Sequence, residues 1–493
     1  MTSLSLFKPA LGIAMCAAIA IAMPACSDDD NVTPSHSSTS SSDSSSSTTE
    51  ISSTTIEANR FVHDVMSDYY YWNTEMPSLN YRTQSNTSEY FYNLLSSKDR
   101  FSYISDDATS TLSEFAGEYT DFGWEYQLSY FSSTSDSVVA IITYVYDNTP
   151  ASQAGALRGD VVHTVDGTAI TIDNYRSIFT SASSGTFKAY RVEDGKLTDV
   201  AYTMTAASIT ENPVAVSKVI EQSDGTKVGY LFYTSYSATF NDDLVAAITS
   251  FKESGVSDVV LDLRYNPGGD SQALQYMGSM LAPASAVSSK SEMIYYEFNS
   301  LLQKYSGYDR ESTALNFTDA PGVNLDLSRL VVLVSGSTYS ASEATIWSLM
   351  PYMDVTLIGD TTGGKNTMMY VMSPEDFTYS STGLPYYSTS INNWLIMPIV
   401  AVYKNSTGKA FDTSNGYGLA PNYYVRDLSA LLSKGVKQIG DPEENLLAAA
   451  LDYLANGTVS TNKSLSTEPQ PARVASSVDK KPQVLYQRAK IQK

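Results

Sequence analysis

The segment best suited to covalent chemistry is residues 335–343 (SGSTYSASE), where a predicted strand ends and a predicted helix begins. Ser340 stands at that junction, where the free N–H groups and the positive end of a helix meet. A serine nucleophile there would have an anion-stabilising site beside it, and the N–H of Ala341 is the first candidate donor to an oxyanion. Because Ser340 and Glu343 also fit a plain capping box, this segment alone leaves a helix cap and a nucleophile both open.

A serine hydroxyl needs a base, and the distribution of histidines limits what that base can be. The three histidines are His36, His63 and His163, so the C-terminal two-thirds of the chain contain no imidazole unless His163 reaches across. Lys365, in residues 360–366 (DTTGGKN), is the available base, provided that burial keeps its amine neutral. A solvated loop lysine is the alternative interpretation.

A glycine turn offers the second half of such a site. Residues 261–270 (LDLRYNPGGD) run from a predicted strand into Gly268 and Gly269. Because glycines carry no side chain, a substrate carbonyl can approach the backbone there and meet a second oxyanion donor. An ordinary turn is the alternative for this segment.

Residues 359–365 nearly spell a phosphate-binding loop, which would indicate nucleotide chemistry instead. Asn366 stands where the Ser or Thr that holds Mg²⁺ is needed, and residues 367–371 predict a strand rather than a helix. Both cysteines lie within the first 26 residues, so no Cys-based metal site is expected in the folded body. We therefore expect no metal and no other cofactor.

The elements that must hold these segments alternate between strands and helices from about residue 208. The predicted strands cover 227–233, 258–263, 330–334 and 355–358, and the predicted helices cover 241–254, 271–281, 340–350 and 443–454. This alternation predicts an α/β layered core over residues 208–456.

Two smaller units are predicted upstream of that core. Residues 54–57 fit a capping box and apolar residues follow at helical spacing, which predicts a helical domain over 56–112. Short strands are predicted over 113–207, where 138–146 is rich in β-prone residues and 149–160 (TPASQAGALRGD) predicts a short helix. The fold class is therefore α/β and multidomain.

The two ends of the chain have a different character. Residues 9–25 form an uncharged apolar run that ends in small residues before Cys26, which is typical of an export signal. An ordinary cleaved signal or a signal-anchor helix is the alternative to a lipid-modified start. Ser and Thr dominate the segment that follows, which predicts a flexible tether over 26–55, and the polar residues 457–493 predict a loosely ordered tail.

The charge of the chain excludes some partners. The formal net charge is −22 and the pI is near 4.5. Such a body repels nucleic acids and anionic lipid surfaces, so we expect neither as a partner.

The three chemical segments together resemble the C-terminal processing, or tail-specific, serine peptidases. These enzymes carry an inserted PDZ domain, an R-x-N-x-G-G turn, an S-A-S-E nucleophile helix and a G-K base loop, and the likeness covers about residues 56–455. It implies a peptidase core similar to the crotonase/Clp protease-like fold. By position it implies these roles: Ser340 as nucleophile, Lys365 as general base, Glu343 as a supporting acidic residue, and the N–H groups of Ala341 and Gly268, or alternatively Gly269, as the oxyanion hole. Many members have Gln four residues after the lysine, where this chain has Met369, which leaves a third catalytic partner in doubt.

Residues 113–207 resemble a PDZ domain. The resemblance implies capture of an extended C-terminal peptide by strand addition, with the carboxylate-binding loop at Phe122, Gly123 and Trp124. Residues 23–26 (MPAC) resemble a bacterial lipoprotein box, which implies a signal peptide over 1–25 and lipidation of Cys26.

The implied function is that of a lipid-anchored serine endopeptidase that cleaves exported proteins or peptides through an acyl-enzyme and binds their C-termini. The expected location is the outer membrane of a Gram-negative bacterium, facing the periplasm or the cell surface, with membrane contact only through the lipid. A noncatalytic PDZ-type lipoprotein that binds peptides is the alternative.

Overall fold

The computed structural model describes residues 50–132, 135–429, 431, 433–460, 472–481, 483–489 and 491–492. The predicted signal peptide, Cys26 and residues 26–49 of the predicted tether lie outside the described residues. Within the described ranges, no helix has the length and apolar character needed to cross a membrane.

Helices dominate the first segment, as the apolar spacing predicts. Its elements are α1 (Ser53–Tyr69), α2 (Thr87–Asn93), β1 (Tyr103–Ser105) and α3 (Ala108–Phe115). The predicted cap at Thr54 is wrong, because Ser52 Oγ accepts the N–H of Thr55 at 3.0 Å. Helix α1 therefore begins at Ser53, three residues before the predicted residue 56. The apolar face of α1 is buried, which fixes this segment against the rest of the core.

An antiparallel sheet forms the next segment. Its strands are β2 (Glu118–Asp121), β3 (Trp124–Tyr130), β4 (Val138–Val145), β5 (Val161–Val165), β6 (Thr168–Ala169), β7 (Ser184–Glu193), β8 (Lys196–Thr205) and β9 (Ala207–Thr210). The predicted short helix is α4 (Pro150–Gln153), capped by Thr149. The order β3-β4-β5-β7-β8 encloses its own hydrophobic cluster, while β2 pairs with β9 where the chain enters and leaves. We call residues 113–207 the PDZ-like domain; its boundaries stay a prediction.

The remaining core has two six-stranded sheets, with β19 and β20 in separate two-stranded pairs, and the alternation predicted from residue 208 is confirmed. Its strands are β10 (Val214–Glu221), β11 (Lys227–Tyr233), β12 (Asp258–Asp262), β13 (Gly269–Asp270), β14 (Glu292–Phe298), β15 (Ala314–Asn316), β16 (Arg329–Val334), β17 (Asp354–Gly359), β18 (Thr367–Val371), β19 (Phe377–Thr378), β20 (Leu395–Met397), β21 (Ile399–Asn405) and β22 (Tyr423–Tyr424). Its helices are α5 (Asn241–Glu253), α6 (Ser271–Leu281), α7 (Ala284–Ser288), α8 (Ala341–Leu349) and α9 (Asn445–Asn456).

The first sheet, in the order β10-β11-β12-β16-β17-β22, is parallel from β11 onward. Helices cover both of its faces, with α5, α6 and α8 in one hydrophobic cluster and α9 in another. Burial on both faces explains why β11, β12 and β16 read as nearly continuous apolar runs. The loops after β12 and β16 leave at the carboxyl edge of this sheet, which brings the glycine turn and Ser340 together.

The C-terminal segment differs from its prediction. Instead of a loose tail, the described part of 472–492 forms β23 (Arg473–Ser476), β24 (Leu485–Arg488) and β25 (Ile491–Gln492). Strand β23 pairs with β3 of the PDZ-like domain, and β24 lies between β13 and β18 in the second sheet. Polar composition hid these strands because only a few apolar residues in them are buried, and their partners are distant in sequence.

A buried charge cluster anchors the start of the glycine turn. The Arg264 guanidinium, fully buried, donates to both carboxylate oxygens of Glu444 at 2.8 and 2.9 Å and to Asp262. Asp427 accepts from Arg264 and also from Arg158 of the PDZ-like domain. Removing one member of such a cluster leaves an uncompensated buried charge, so the cluster holds the segment before Gly268 in one place.

Candidate active site

Ser340 has the backbone of a strained turn. Its φ is 56° and its ψ is −107°, a conformation that costs energy in a residue with a side chain. A sharp turn between a strand and a helix is where serine hydrolases place their nucleophile. Ser340 Oγ is buried and has no hydrogen-bond partner among the described residues. Ser340 and Glu343 have the capping-box arrangement that the sequence predicts. A plain cap needs neither the strain nor a buried hydroxyl without a partner, and both are typical of a reactive group.

Glu343 fastens the turn of Ser340 to the loop of Lys365. Its Oε2 accepts the N–H groups of Ser340 at 2.9 Å and of Lys365 at 2.8 Å. Its Oε1 accepts the N–H of Gly364 at 2.9 Å and the hydroxyl of Thr362. Burial raises the pKa of Glu343, while these four hydrogen bonds oppose the shift. One carboxylate therefore sets the spacing of the two backbones that carry the predicted nucleophile and base.

The Lys365 amine is buried, as a base at neutral pH requires. Burial lowers its pKa from 10.5 to about 7. Nζ lies 4.9 Å from the centroid of the Phe101 ring and donates to Met369 Sδ at 2.9 Å and to the carbonyl oxygen of Gln483. The thioether of Met369 thus occupies the position at which the resemblance implies a Gln, and the amine donates to these two atoms rather than to Ser340 Oγ.

Tyr403 adds a second tie between the same two segments. Its hydroxyl reaches the carbonyl oxygens of Ser340 at 3.1 Å and Lys365 at 3.0 Å, and its ring is buried. Sequence analysis missed this positioning residue, because a single tyrosine in a predicted strand carries no local signal of such a role.

The glycine turn lies directly against Ser340. A Cβ on Gly268 would be 2.9 Å from the Ala341 nitrogen and 3.0 Å from Ser340 Cβ, so only glycine fits there. The N–H of Gly268 donates to Asn266 Oδ1 at 2.9 Å, whereas the N–H of Gly269 donates to the carbonyl oxygen of Val484. The glycine turn and the start of α8 therefore meet at Ser340. Both glycine N–H groups have acceptors, so the choice between Gly268 and Gly269 as the partner of Ala341 stays a prediction.

The predicted carboxylate loop has mainly internal contacts. The side chains of Phe122 and Trp124 are buried in the core of the PDZ-like domain. The N–H of Gly123 donates to Asp121 Oδ1 at 2.9 Å. A role in binding a C-terminal carboxylate stays a prediction.

Neither histidine in the described ranges replaces Lys365. His163, on β5, stacks on Tyr190 with ring centroids 4.2 Å apart, and His63, on α1, pairs with Asp64. The strand β18 after Lys365 also removes the helix N-terminus that a phosphate-binding loop needs, as expected.

Comparison with protein families matches two parts of this chain. The model described as peptidase family S41 covers residues 227–423, and that of the peptidase S41 N-terminal domain covers residues 57–103. Over these two segments the chain matches peptidase family S41.

Curated relatives and a solved structure agree with the S41 assignment. A carboxyl-terminal-processing protease of Synechocystis is 27% identical over 320 residues, which are 64% of this chain and 65% of the relative. A carboxy-terminal-processing protease of Bartonella bacilliformis is 25% identical over 58% of this chain and 62% of its own length. The matches thus span less than two thirds of these relatives. A crystal structure of a Bacteroides fragilis protein assigned to the S41 proteases is 26% identical, with a TM-score of 0.64, over 81% of this chain and 97% of that one.

Proposed function

We propose that this S41 chain is a serine endopeptidase of the tail-specific type, with Ser340 as nucleophile and Lys365 as general base. The observation that carries the proposal is a buried amine whose pKa is about 7, tied through Glu343 and Tyr403 to a serine in a strained turn. An ordinary helix cap needs neither the strain nor the buried lysine.

The mechanism follows from these groups. Neutral Lys365 takes the proton of Ser340 Oγ, and the alkoxide attacks the carbonyl carbon of a peptide bond. The N–H groups of Ala341 and Gly269, or Gly268, hold the oxyanion, and the resulting ammonium of Lys365 protonates the leaving amine as the C–N bond breaks. Water, deprotonated by Lys365, then hydrolyses the ester and restores Ser340.

The substrate class we propose is an exported protein or peptide bound through its C-terminus. The names of the relatives support this, as does the PDZ-like sheet beside the site. A cavity of about 250 Å³ is lined by Gly123 and Trp124 on one side and by Gly268 and Gly269 on the other. A peptide bound at the PDZ-like domain would therefore lie close to the glycine turn.

We further propose that Cys26 carries a lipid and that the protein sits at the outer membrane, facing the periplasm or the surface. The lipoprotein-box likeness of residues 23–26 and the Ser/Thr-rich segment after it support this.

A noncatalytic peptide-binding lipoprotein is the second candidate, because Lys365 Nζ donates to Met369 and Gln483 rather than to Ser340 Oγ. A small serine-directed fluorophosphonate separates the two. We expect mass spectrometry to locate the label on Ser340 alone, whereas peptide binding with no label after prolonged exposure would favour the receptor.

The rate of that labelling should depend on pH through Lys365. Its amine is the active base only when neutral, so the rate should rise with pH, reach half its maximum near pH 7 and level off above that. At pH 5 only about one hundredth of the amine is neutral, which sets the expected loss. A rate that keeps climbing past pH 9 would indicate a solvated lysine and contradict the role of burial.

Glu343→Gln should lower peptidase activity by about 100-fold or more, because displacement of reacting groups by about 1 Å has costs of this size. The side-chain amide of the variant has one acceptor oxygen, whereas the two carboxylate oxygens of Glu343 accept hydrogen bonds from four donors. Turnover of a fluorogenic unstructured protein measures the effect. The exposed Glu253→Gln is the matched control, and equal activity of the two variants would remove Glu343 from the site.

A further inference from the structure

The C-terminal segment follows a path that an extended substrate would take. Strand β23 adds to the edge of β3 with Arg473 opposite Ser129 and Ser476 opposite Gln127, so it runs antiparallel toward Trp124. Peptides that bind by strand addition use the same edge contacts. Beyond β23, Ser477 Oγ accepts the N–H of Tyr126 at 2.9 Å, and the chain then passes Ser340.

Near Ser340, two backbone carbonyl groups of the C-terminal segment contact the proposed catalytic groups. The Val484 oxygen accepts the N–H of Gly269, and a Cβ placed on Gly268 would be 2.3 Å from that oxygen. The Gln483 oxygen accepts from Lys365 Nζ. The two carbonyls therefore occupy one oxyanion donor and the proposed base at once.

Three residues before Val484, a lysine fills a buried acidic pocket. Lys481 Nζ lies 2.5 Å from Glu125 Oε1 and 2.8 and 2.9 Å from the two oxygens of Glu211. Glu125 is 4% exposed and Glu211 is 6% exposed. Two carboxylates so deeply buried need a cation, because like charges without one are costly there.

We propose that residues 472–481 and 483–489 belong to a pseudosubstrate that closes the site in cis, and that the Glu125–Glu211 pocket is a subsite for a lysine or arginine side chain of the substrate. This rests on the proposed function. The substrate would be an extended peptide with a cationic residue three positions before the carbonyl that meets Gly269.

The C-terminal segment inhibits the site and is not itself cleaved, because it engages the amine of Lys365. While Lys365 donates to Gln483, its amine is not bonded to Ser340 Oγ, so no proton transfer from the serine is set up. The segment also completes the second sheet through β24, which pairs with both β13 and β18. Opening the site therefore requires that β24, or the segment before it, dissociates from Ser340 and Lys365.

Lys481→Met tests the closure in the full chain. Lys437→Met is the control, because the exposed Lys437 side chain forms an ion pair with Glu443 at the surface. We expect Lys481→Met to speed hydrogen exchange at residues 473–488 and to raise both fluorophosphonate labelling of Ser340 and cleavage of an unstructured protein by about tenfold, a change of about 1.4 kcal/mol. The Lys437 variant should match wild type. Faster hydrogen exchange in Lys481→Met with unchanged labelling of Ser340 would overturn the closure. A mass spectrum of the wild-type protein that shows cleavage of its own chain after Val484 would overturn it too.

Peptide pairs test the subsite in the Lys481→Met chain. A peptide with lysine three residues before the residue whose carbonyl group is attacked should have a kcat/KM about tenfold above its glutamine counterpart, and Glu211→Gln should shrink that ratio. A ratio near one would overturn the subsite even if cleavage is fast. A third outcome separates this proposal from the proposed function. If no variant is labelled or cleaves a substrate, but hydrogen exchange is still faster in Lys481→Met, the peptidase proposal is contradicted. The docking of the C-terminal segment would then still hold.

Discussion

Ser340→Ala should reduce cleavage of an unstructured protein by about 10⁴-fold or more, to the background rate, because no acyl-enzyme can form without the hydroxyl. The fold should survive, since Ser340 Oγ makes no hydrogen bond within the described residues and its loss leaves no partner unsatisfied. Release of a fluorescent product from a labelled protein measures the rate, and thermal unfolding checks the fold.

Ser348→Ala is the matched control for Ser340. It lies on α8, the helix that Ser340 precedes, is equally buried, and its hydroxyl donates to the carbonyl oxygen of Thr345. Its activity should stay close to wild type. Wild-type turnover in Ser340→Ala would end the acyl-enzyme mechanism, whatever the control does.

Lys365→Met should lower the same activity by about 10³-fold or more, since it keeps the volume of the side chain and removes the base. Removing an amine that burial already disfavours as a cation leaves no unpaired charge behind, so unfolding should change little. The measurement is kcat/KM for the fluorescent protein at pH 8, where wild-type Lys365 is mostly neutral.

Lys365→Arg distinguishes a base from a mere positive charge. A guanidinium does not lose its proton in proteins, so this variant should be as inactive as Lys365→Met. Activity retained by arginine would mean that charge alone is needed. Loss of cleavage in Lys437→Met as well would point to a general effect of lysine removal and contradict the assignment.

Much of the fold could be predicted from sequence because its elements are locally encoded. Strand β11 and helix α6 begin and end where their apolar patterns predict, and the glycine pair at 268–269 indicated the close approach to Ser340. The start of α1 was wrong because two serine or threonine residues compete for the same cap and only one accepts the N–H of Thr55.

The rest of the site depends on contacts that no local pattern encodes. The sequence contains 36 tyrosines, and nothing in its neighbourhood distinguishes Tyr403, which bridges two segments far away along the chain. Strands β23 and β24 were missed for the same reason, since each is stabilised by strands more than 100 residues away. The absence of histidine suggested Lys365 as a base, but only its surroundings in the fold lower the pKa of its amine.

The shared carboxylate of Asp427 bears on how the molecule can move. Arg158 of the PDZ-like domain and Arg264 of the core both donate to it, with the Arg158 side chain 1% and the Arg264 side chain 0% exposed. A rotation of the PDZ-like domain away from the core would separate the buried Arg158 guanidinium from the Asp427 carboxylate. Such a separation leaves an uncompensated charge in a water-free interior, so hinge motion between the PDZ-like domain and the core should be rare. Access to Ser340 would then be controlled by the dissociation of β24 from a core that otherwise stays rigid.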